Sequence, residues 1–522
     1  MTADGSRGER GRILFISSNG TGLGHLTRSM AIARRLEGLE PLFFTLSAAA
    51  PVVREQGFPV EYAASYSTPG AGSDWRWSRR LRGRLRAALS ELRPRVVVFD
   101  GAHPYQALID ALPAAAGAWR VWSRRPLWKP GANPGALDRE GFFDRVLEPG
   151  ELAAQLDRGA TVARRDRAHV VDPIVFCDDE DLPAREEAAR ELGLDPAATC
   201  VLVNLGQGEA VRELAARSIG HLSGRPGVQV AVLSSAIAAG LEVPDDVVHL
   251  RATYPISRCF AAFDAAVAAA GYNAYHELIR FGVPSLYVPM RRQTDDQAAR
   301  ALFAEREGLG LGVESAGPHV PVEAKLDSLL DHAQRDAIRA RLRERRPENG
   351  AANAAAWVAD LAASERPSRP ATSRWRKYLR DPAGSARRAA PFVARLPLHA
   401  GAVVKQTIQR RPPRTVIVAF GVPSDGMAEA LGEALSRTPD PPERVLVVTD
   451  SLELAPLRRL GVGFEHVPAR GEAQPEAAGG DYEAFARRRL ELILAERPRP
   501  RRLLGAGEMS PEKLASFATL SR

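Results

Sequence analysis

The stretch AAAGYNAYHELIRFGVPSLYVPMRRQTDDQAARA, Ala268 to Ala301, decides how this chain folds. An apolar strand ends at Gly271, and a helix beginning near Asn273 carries His276 and Glu277. A second strand ends at Pro289, and a polar loop then brings Asp295, Asp296 and Gln297 to the start of another helix. Strand, helix and strand joined this closely make parallel neighbours whose carboxyl ends lie on one edge of a sheet. Two helix N-termini and one glutamate therefore converge on a single place, which suits a diphosphate flanked by a ribose and a sugar. A carboxylate accepts from two vicinal hydroxyls, and an Asp with a Gln can bond several more.

The same logic applies to ILFISSNGTGLGHLTRSMAIARRL, Ile13 to Leu36, where a strand runs into a loop containing Gly20, Thr21, Gly22 and Gly24 and then into an amphipathic helix. Such a loop turns free backbone N–H groups toward an anion, so phosphate is the first expectation. A dinucleotide fingerprint is disfavoured. The glycines are spaced G-x-G-x-G, and the second strand, Pro41 to Ser47, ends without the acid that would hold a ribose. His25, directly after the loop, is placed and titrates suitably for proton abstraction; the alternative is a hydrogen bonder at the helix start.

Outward from these two stretches, strands and helices alternate in two successive blocks. The fold class is α/β, with two facing Rossmann-like doubly wound domains and a ligand cleft between the carboxyl ends of their strands. Residues 1–170 form the first domain. Residues 171–363 form the second, closed by helices at Val322–Arg346 and Ala351–Ala363. Residues 364–413 are rich in Arg, Pro, Ser and Ala and read as a basic linker. Residues 414–522 read as a small α/β accessory unit without a chemical motif, dispensable for ligand binding.

A chain of 522 residues is too long for one core. Its composition is that of a soluble globular protein, with no apolar run of about 20 residues and no apolar stretch near its start, so a cytoplasmic location is expected. Cys177, Cys200 and Cys259 lie far apart without C-x-x-C spacing, which argues against a disulfide framework or a zinc site. The net charge of +8 does not by itself choose a partner. The basic residues lack interleaved aromatics and a recognisable fold signature, so nucleic acid is not expected.

The motifs NGTGLGH, VLVNLGQGE and AGYNAYHELIRFGVPSLYVPMRRQTDDQ together resemble the glycosyltransferases of family 28, which have the GT-B fold, over about Arg12 to Ala363. That family includes the N-acetylglucosaminyltransferase that makes the peptidoglycan lipid intermediate and the plant monogalactosyldiacylglycerol synthases. The resemblance implies that Gly20, Thr21, Gly22 and Gly24 face acceptor and diphosphate, and that His25 is the candidate general base. It places Gly206, Gln207 and Gly208 at donor phosphate, and Gly271 and Asn273 at the helix that meets the diphosphate. Glu277 would hold the ribose hydroxyls, Asp296 and Gln297 the transferred sugar, and Tyr254 to Ile256 the uracil. The first loop is less glycine-rich than in the peptidoglycan enzyme, so acceptor identity does not carry over.

The expected function is an inverting, metal-independent transfer from a nucleotide sugar, UDP-linked, to a hydroxyl acceptor, with no cofactor. Rival readings are a UDP-sugar 2-epimerase of the same fold and a non-catalytic nucleotide-sugar-binding protein. Among single residues, His276 reads as a packing or helix-surface histidine, Asp295 as a helix cap or a ligand contact, and Arg291 and Arg292 as solvated surface. The acids of DDED, Asp178 to Asp181, read as a solvated turn. The helix at Asp74–Pro94 reads as an ordinary domain helix with a charged face, or as an arginine patch for an anionic membrane beside a lipid-linked acceptor.

Overall fold

The computed structural model describes residues 11–18, 23–66, 68, 74–206, 209–234, 244–251, 253–315, 320–366, 413–472, 481–495, 497, 499–507, 509 and 514. Seven parallel strands make the first sheet: β1 (Arg12–Ser17), β2 (Glu40–Thr45), β3 (Val60–Tyr62), β4 (Val96–Asp100), β5 (Trp119–Ser123), β6 (Arg145–Pro149) and β7 (Ala168–Val171), in the order β3-β2-β1-β4-β5-β6-β7. Strands such as Val96–Asp100 are wholly buried. They read as continuous apolar runs because helices cover both faces of a parallel sheet. β3 and β7 were not expected: three and four residues leave too little pattern to recognise.

The second sheet contains β8 (Thr199–Asn204), β9 (Val228–Ser234), β10 (Val248–Arg251), β11 (Ala265–Ala269), β12 (Ser285–Val288) and β13 (Leu311–Gly312), all parallel, in the order β10-β9-β8-β11-β12-β13. Three helices matter for the cleft, α1 (Gly24–Ala33), α3 (Tyr272–Arg280) and α4 (Gln297–Arg306), and a fourth, α2 (Asp74–Leu92), for the joint described below. The segment expected as one helix over Val322–Arg346 is two, Val322–Leu330 and His332–Glu344. Asp331 is extended between them and caps the second through Gln334 N–H.

The boundary at 363 needs correction. Helix α5 (Ala351–Ala363) does not close the second domain but returns to the first, burying Ala351, Ala354, Ala355 and Val358 in the same core as Ile13, Phe15 and Met30. Its small-residue face permits close approach to the sheet. Arg366 then pairs with Asp144 at 2.7 and 3.1 Å, so the chain stays on the first domain as far as it is described there. The basic stretch beyond, with Trp375 and Tyr378, lies outside the described residues. The acids of DDED do form a solvent-facing 3-10 turn, and three of them are also paired across it. Asp181 accepts from Arg34 of α1 at 2.8 Å and Asp178 from Arg35, while Asp179 accepts from Arg280 and Arg346 of the second domain.

Residues 414–522 contain a third parallel sheet, β14 (Thr415–Ala419), β15 (Val445–Thr449), β16 (Gly463–His466) and β17 (Arg502–Gly505), in the order β16-β15-β14-β17, with helix α6 (Tyr482–Leu494). This unit is not a loose accessory. Its edge strand β16 covers the edge strand β3 of the first sheet. Tyr62 N–H donates to His466 Nδ1 at 3.4 Å, and Ala64 N–H donates to Glu465 at 3.3 Å.

A buried ionic cluster fills the joint. Arg84 of α2 donates to Glu61 and Glu465 at 2.9 Å each and to the carbonyls of Tyr62 and His466. Arg489 of α6 pairs with Glu61 and Glu91, and Arg497 with Glu465. The membrane-patch reading of α2 therefore loses two of its arginines, since Arg80 and Arg84 are buried. A buried arginine is retained where carboxylates meet it, and the third unit supplies Glu465.

Candidate functional site

Strands β1 and β4 are neighbours with Ser17 opposite Asp100, so the last residue of β4 stands beside the start of α1. His25 Nδ1 lies 2.6 Å from Asp100 Oδ1. Arg28, one turn further, reaches Asp100 through Nη2 at 2.5 Å and Nε at 3.2 Å, and Ser123 donates to it at 2.8 Å. Burial alone would raise the Asp100 carboxyl, but Arg28 and His25 overcome this and hold it well below the usual carboxylate range. Asp100 is thus an anion that fixes the histidine tautomer. Nδ1 carries the proton toward Asp100, and Nε2 keeps its lone pair. Burial pulls His25 below its usual 6.5; Asp100 opposes this, and Arg28 and Arg125 add to it. The imidazole is neutral at pH 7, the state a general base requires.

The second domain meets this pair through the first turn of α3. Arg28 Nη1 donates to Asn273 Oδ1 at 3.3 Å, and Asn273 Nδ2 donates to the Gly24 carbonyl at 3.4 Å. Neither α1 nor α3 has a side-chain cap at its N-terminus. The N-termini of two helices without side-chain caps therefore adjoin across the cleft, where an anion is stabilised by both helix dipoles. The Tyr272 ring lies beneath three guanidinium groups, Arg28 at 5.2 Å, Arg300 at 5.7 Å and Arg125 at 5.9 Å.

Of the residues expected at the site, His25, Gly24, Gly271 and Asn273 come together. Glu277 is buried in the same helix, and burial pushes its carboxyl up to about 7 against the pull of hydrogen bonds from Phe176 and Ser257. Tyr254 donates to Thr27 of α1 at 3.1 Å, and Ile256 is buried at the start of a short 3-10 helix. Gly206, two residues after β8, has φ +82°, a conformation glycine permits at little cost. Gly20, Thr21, Gly22, Gln207 and Gly208 lie outside the described residues.

Asp296, not Asp295, caps α4, accepting from Ala299 N–H at 3.3 Å. It also lines a cavity of about 1040 Å³ with Leu156, Leu302, Val313 and Lys325. Asp295 faces the first domain, pairing with Arg125 at 3.2 Å and Arg300 at 3.0 Å, and Gln297 Nε2 donates to it at 3.0 Å. The remaining Gln297 oxygen accepts from Met290 N–H. His276 is fully buried rather than on the helix surface, held by the Tyr272 carbonyl and the Leu152 N–H. Arg291 and Arg292 are exposed.

Asp100, Arg28 and Arg125 escaped the sequence reading. An acid closing the buried run VVVFD was the signal for Asp100, since the carboxyl end of a central strand is where such sheets place ligands. Arg28 lies three residues from His25 on one helix face. In SRRP nothing separates Arg124, which turns inward to Glu140 and Glu148, from Arg125. Among the described residues no group of three or more His, Cys, Asp or Glu could hold a metal ion. No described helix is long and apolar enough to cross a membrane.

No family model matches the chain. A curated relative, the UDP-N-acetylglucosamine–N-acetylmuramyl-(pentapeptide) pyrophosphoryl-undecaprenol N-acetylglucosamine transferase of Clavibacter michiganensis subsp. michiganensis, is 26% identical over 391 residues, 69% of this chain and 100% of that protein. Among solved structures, the kitacinnamycin glycosyltransferase is 18% identical over 68% of this chain and 100% of its own, with a TM-score of 0.47. MurG of Acinetobacter baumannii is 14% identical over 67% and 99%, with a TM-score of 0.45. Two doubly wound parallel sheets with adjoining carboxyl edges and a last helix that crosses back to the first domain are the arrangement expected of the GT-B fold, and over this stretch the chain is similar to that curated transferase.

Proposed function

We propose that the chain transfers a sugar with inversion from a UDP-sugar to the hydroxyl of a lipid-linked acceptor, without a metal. The observation that carries this reading is the His25–Asp100 pair set against the uncapped N-terminus of α3. His25 Nε2 takes the acceptor's hydroxyl proton as that oxygen attacks the anomeric carbon. The bond from that carbon to the diphosphate oxygen breaks, and its electron pair leaves with UDP. Asp100 remains an anion and stabilises the imidazolium that forms. Backbone N–H groups of α3 meet the charge developing on the diphosphate. The donor and acceptor classes are supported by the relative's name, and peripheral contact with the inner face of a membrane follows from such an acceptor. The test is a panel of nucleotide sugars with a lipid-linked acceptor; an epimerase would convert the sugar without glycosylating the acceptor.

Glu277 gives this reading a pH signature. Ribose hydroxyls donating to it favour its charged form, so binding must expel the proton that burial retains up to about pH 7. UDP affinity should therefore rise as pH increases through that value and level off above it. Calorimetry from about pH 6 to about pH 8 should show this slope in wild type and a flat profile in Glu277→Gln. Glu277→Ala should weaken binding by about 1–3 kcal/mol, because the hydroxyls lose their acceptor. Equal affinities for wild type and Glu277→Ala would put the ribose elsewhere.

A further inference from the structure

Three arginines surround the Tyr272 ring, and their counter-charges are unequally divided. Arg28 has Asp100 for two hydrogen bonds. Arg300, fully buried, has Glu151 at 2.9 Å, the Ala270 carbonyl at 3.1 Å and Asp295 at 3.0 Å. Arg125 has the same Asp295 oxygen, already shared with Arg300, at the longer distance of 3.2 Å. Its side chain is 20% exposed, against 1% for Arg28 and 0% for Arg300. One carboxylate oxygen divided between two guanidiniums leaves Arg125 the least compensated cation of the three, and the one open to the cleft.

The backbone holds Arg125 in that place. It follows β5 in the first domain, and the next residues join the second: Lys129 N–H donates to the Thr294 carbonyl at 2.7 Å, and Asp296 N–H to the Leu127 carbonyl at 3.0 Å. An arginine of the acceptor-side domain is thereby fixed over the helix that opens the donor site. A helix N-terminus supplies only about half a charge, whereas a departing diphosphate carries more than one.

We propose that Arg125 binds the diphosphate of the donor and stabilises it as it leaves, so that the first domain supplies the cation for a site otherwise built by the second. The inference rests on the UDP-sugar reading above. As the anomeric carbon exchanges the diphosphate oxygen for the acceptor oxygen, negative charge grows on the β-phosphate. A planar guanidinium with N–H groups to spare meets it with paired hydrogen bonds, which a lysine cannot match.

The test compares UDP with uridine by calorimetry on the full chain. Arg125→Gln should weaken UDP about 10–100-fold and leave uridine within about twofold. Arg125→Lys should recover part of the loss, and kcat should fall in the same order. Unchanged UDP affinity in Arg125→Gln would overturn the proposal, as would an equal loss for uridine, which would mark Arg125 as structural. A variant that binds UDP normally but has a raised KM for the lipid-linked acceptor would assign the arginine to the acceptor's phosphates and overturn it too. Wild type binding no nucleoside diphosphate would instead refute the UDP-sugar reading itself, and the inference with it.

Discussion

Turnover should fall by about 10²–10⁴-fold in His25→Ala while the affinity for the donor stays close to that of wild type, because a general base acts on the transition state far more than on the bound ground state. The check is to measure the donor dissociation constant beside turnover. Equal losses in both would make His25 a ligand contact, and near-normal turnover would remove it from the chemistry. The pH profile adds a second constraint. Burial with Arg28 and Arg125 holds His25 below 6.5, so kcat at saturating donor should stay high at pH 7 and drop only at lower pH, as the imidazole takes up a proton. Asp100→Asn should lose turnover to a similar degree. It should also lower Tm, because Arg28 becomes a buried cation without its counter-ion.

The second large effect is structural. Arg84→Met should destabilise the folded chain by about 3–5 kcal/mol, since Glu61 and Glu465 would each lose a partner within the joint between the first and third units. Thermal unfolding of the full chain measures it. Truncation after residue 366 should act in the same direction and more strongly. It removes Glu465 and Arg489 together, leaving Arg84 and Glu61 with half their partners and the β3 edge bare. A truncated chain as stable as the full one would show that the cluster can rearrange around the missing unit.

The sheets were legible because buried parallel strands leave apolar runs bounded by glycine and polar turns, as in RILFIS and VVVFD. His25 and Asn273 were legible because each follows a loop at a strand's carboxyl end. Between Asp295 and Asp296 the sequence offers no choice: two adjacent acids at a helix start differ only in which one the chain turns toward the partner domain. The destination of helix Ala351–Ala363 was equally hidden, since alanine on one face fits either domain. The cluster around Arg84 was misread for a physical reason. Arginines at Arg79, Arg80, Arg82, Arg84 and Arg86 look solvated, and the carboxylates that bury some of them stand as far away as Glu465, 381 residues along the chain.

That separation has a consequence for synthesis. The first domain is the first to leave the ribosome, yet it is completed last: α5 must return to its core, and Arg489 must reach Glu61 across 428 residues. Until then the nascent chain carries an uncovered strand edge beside a glutamate that has only Arg84 of its two arginine partners, the kind of surface on which growing chains associate wrongly. Slow loop closure over such distances prolongs that interval. Yield of native protein should therefore respond to chaperone supply and translation rate more than the stability of the finished fold would suggest, and the third unit acts as the lid that ends this vulnerable period.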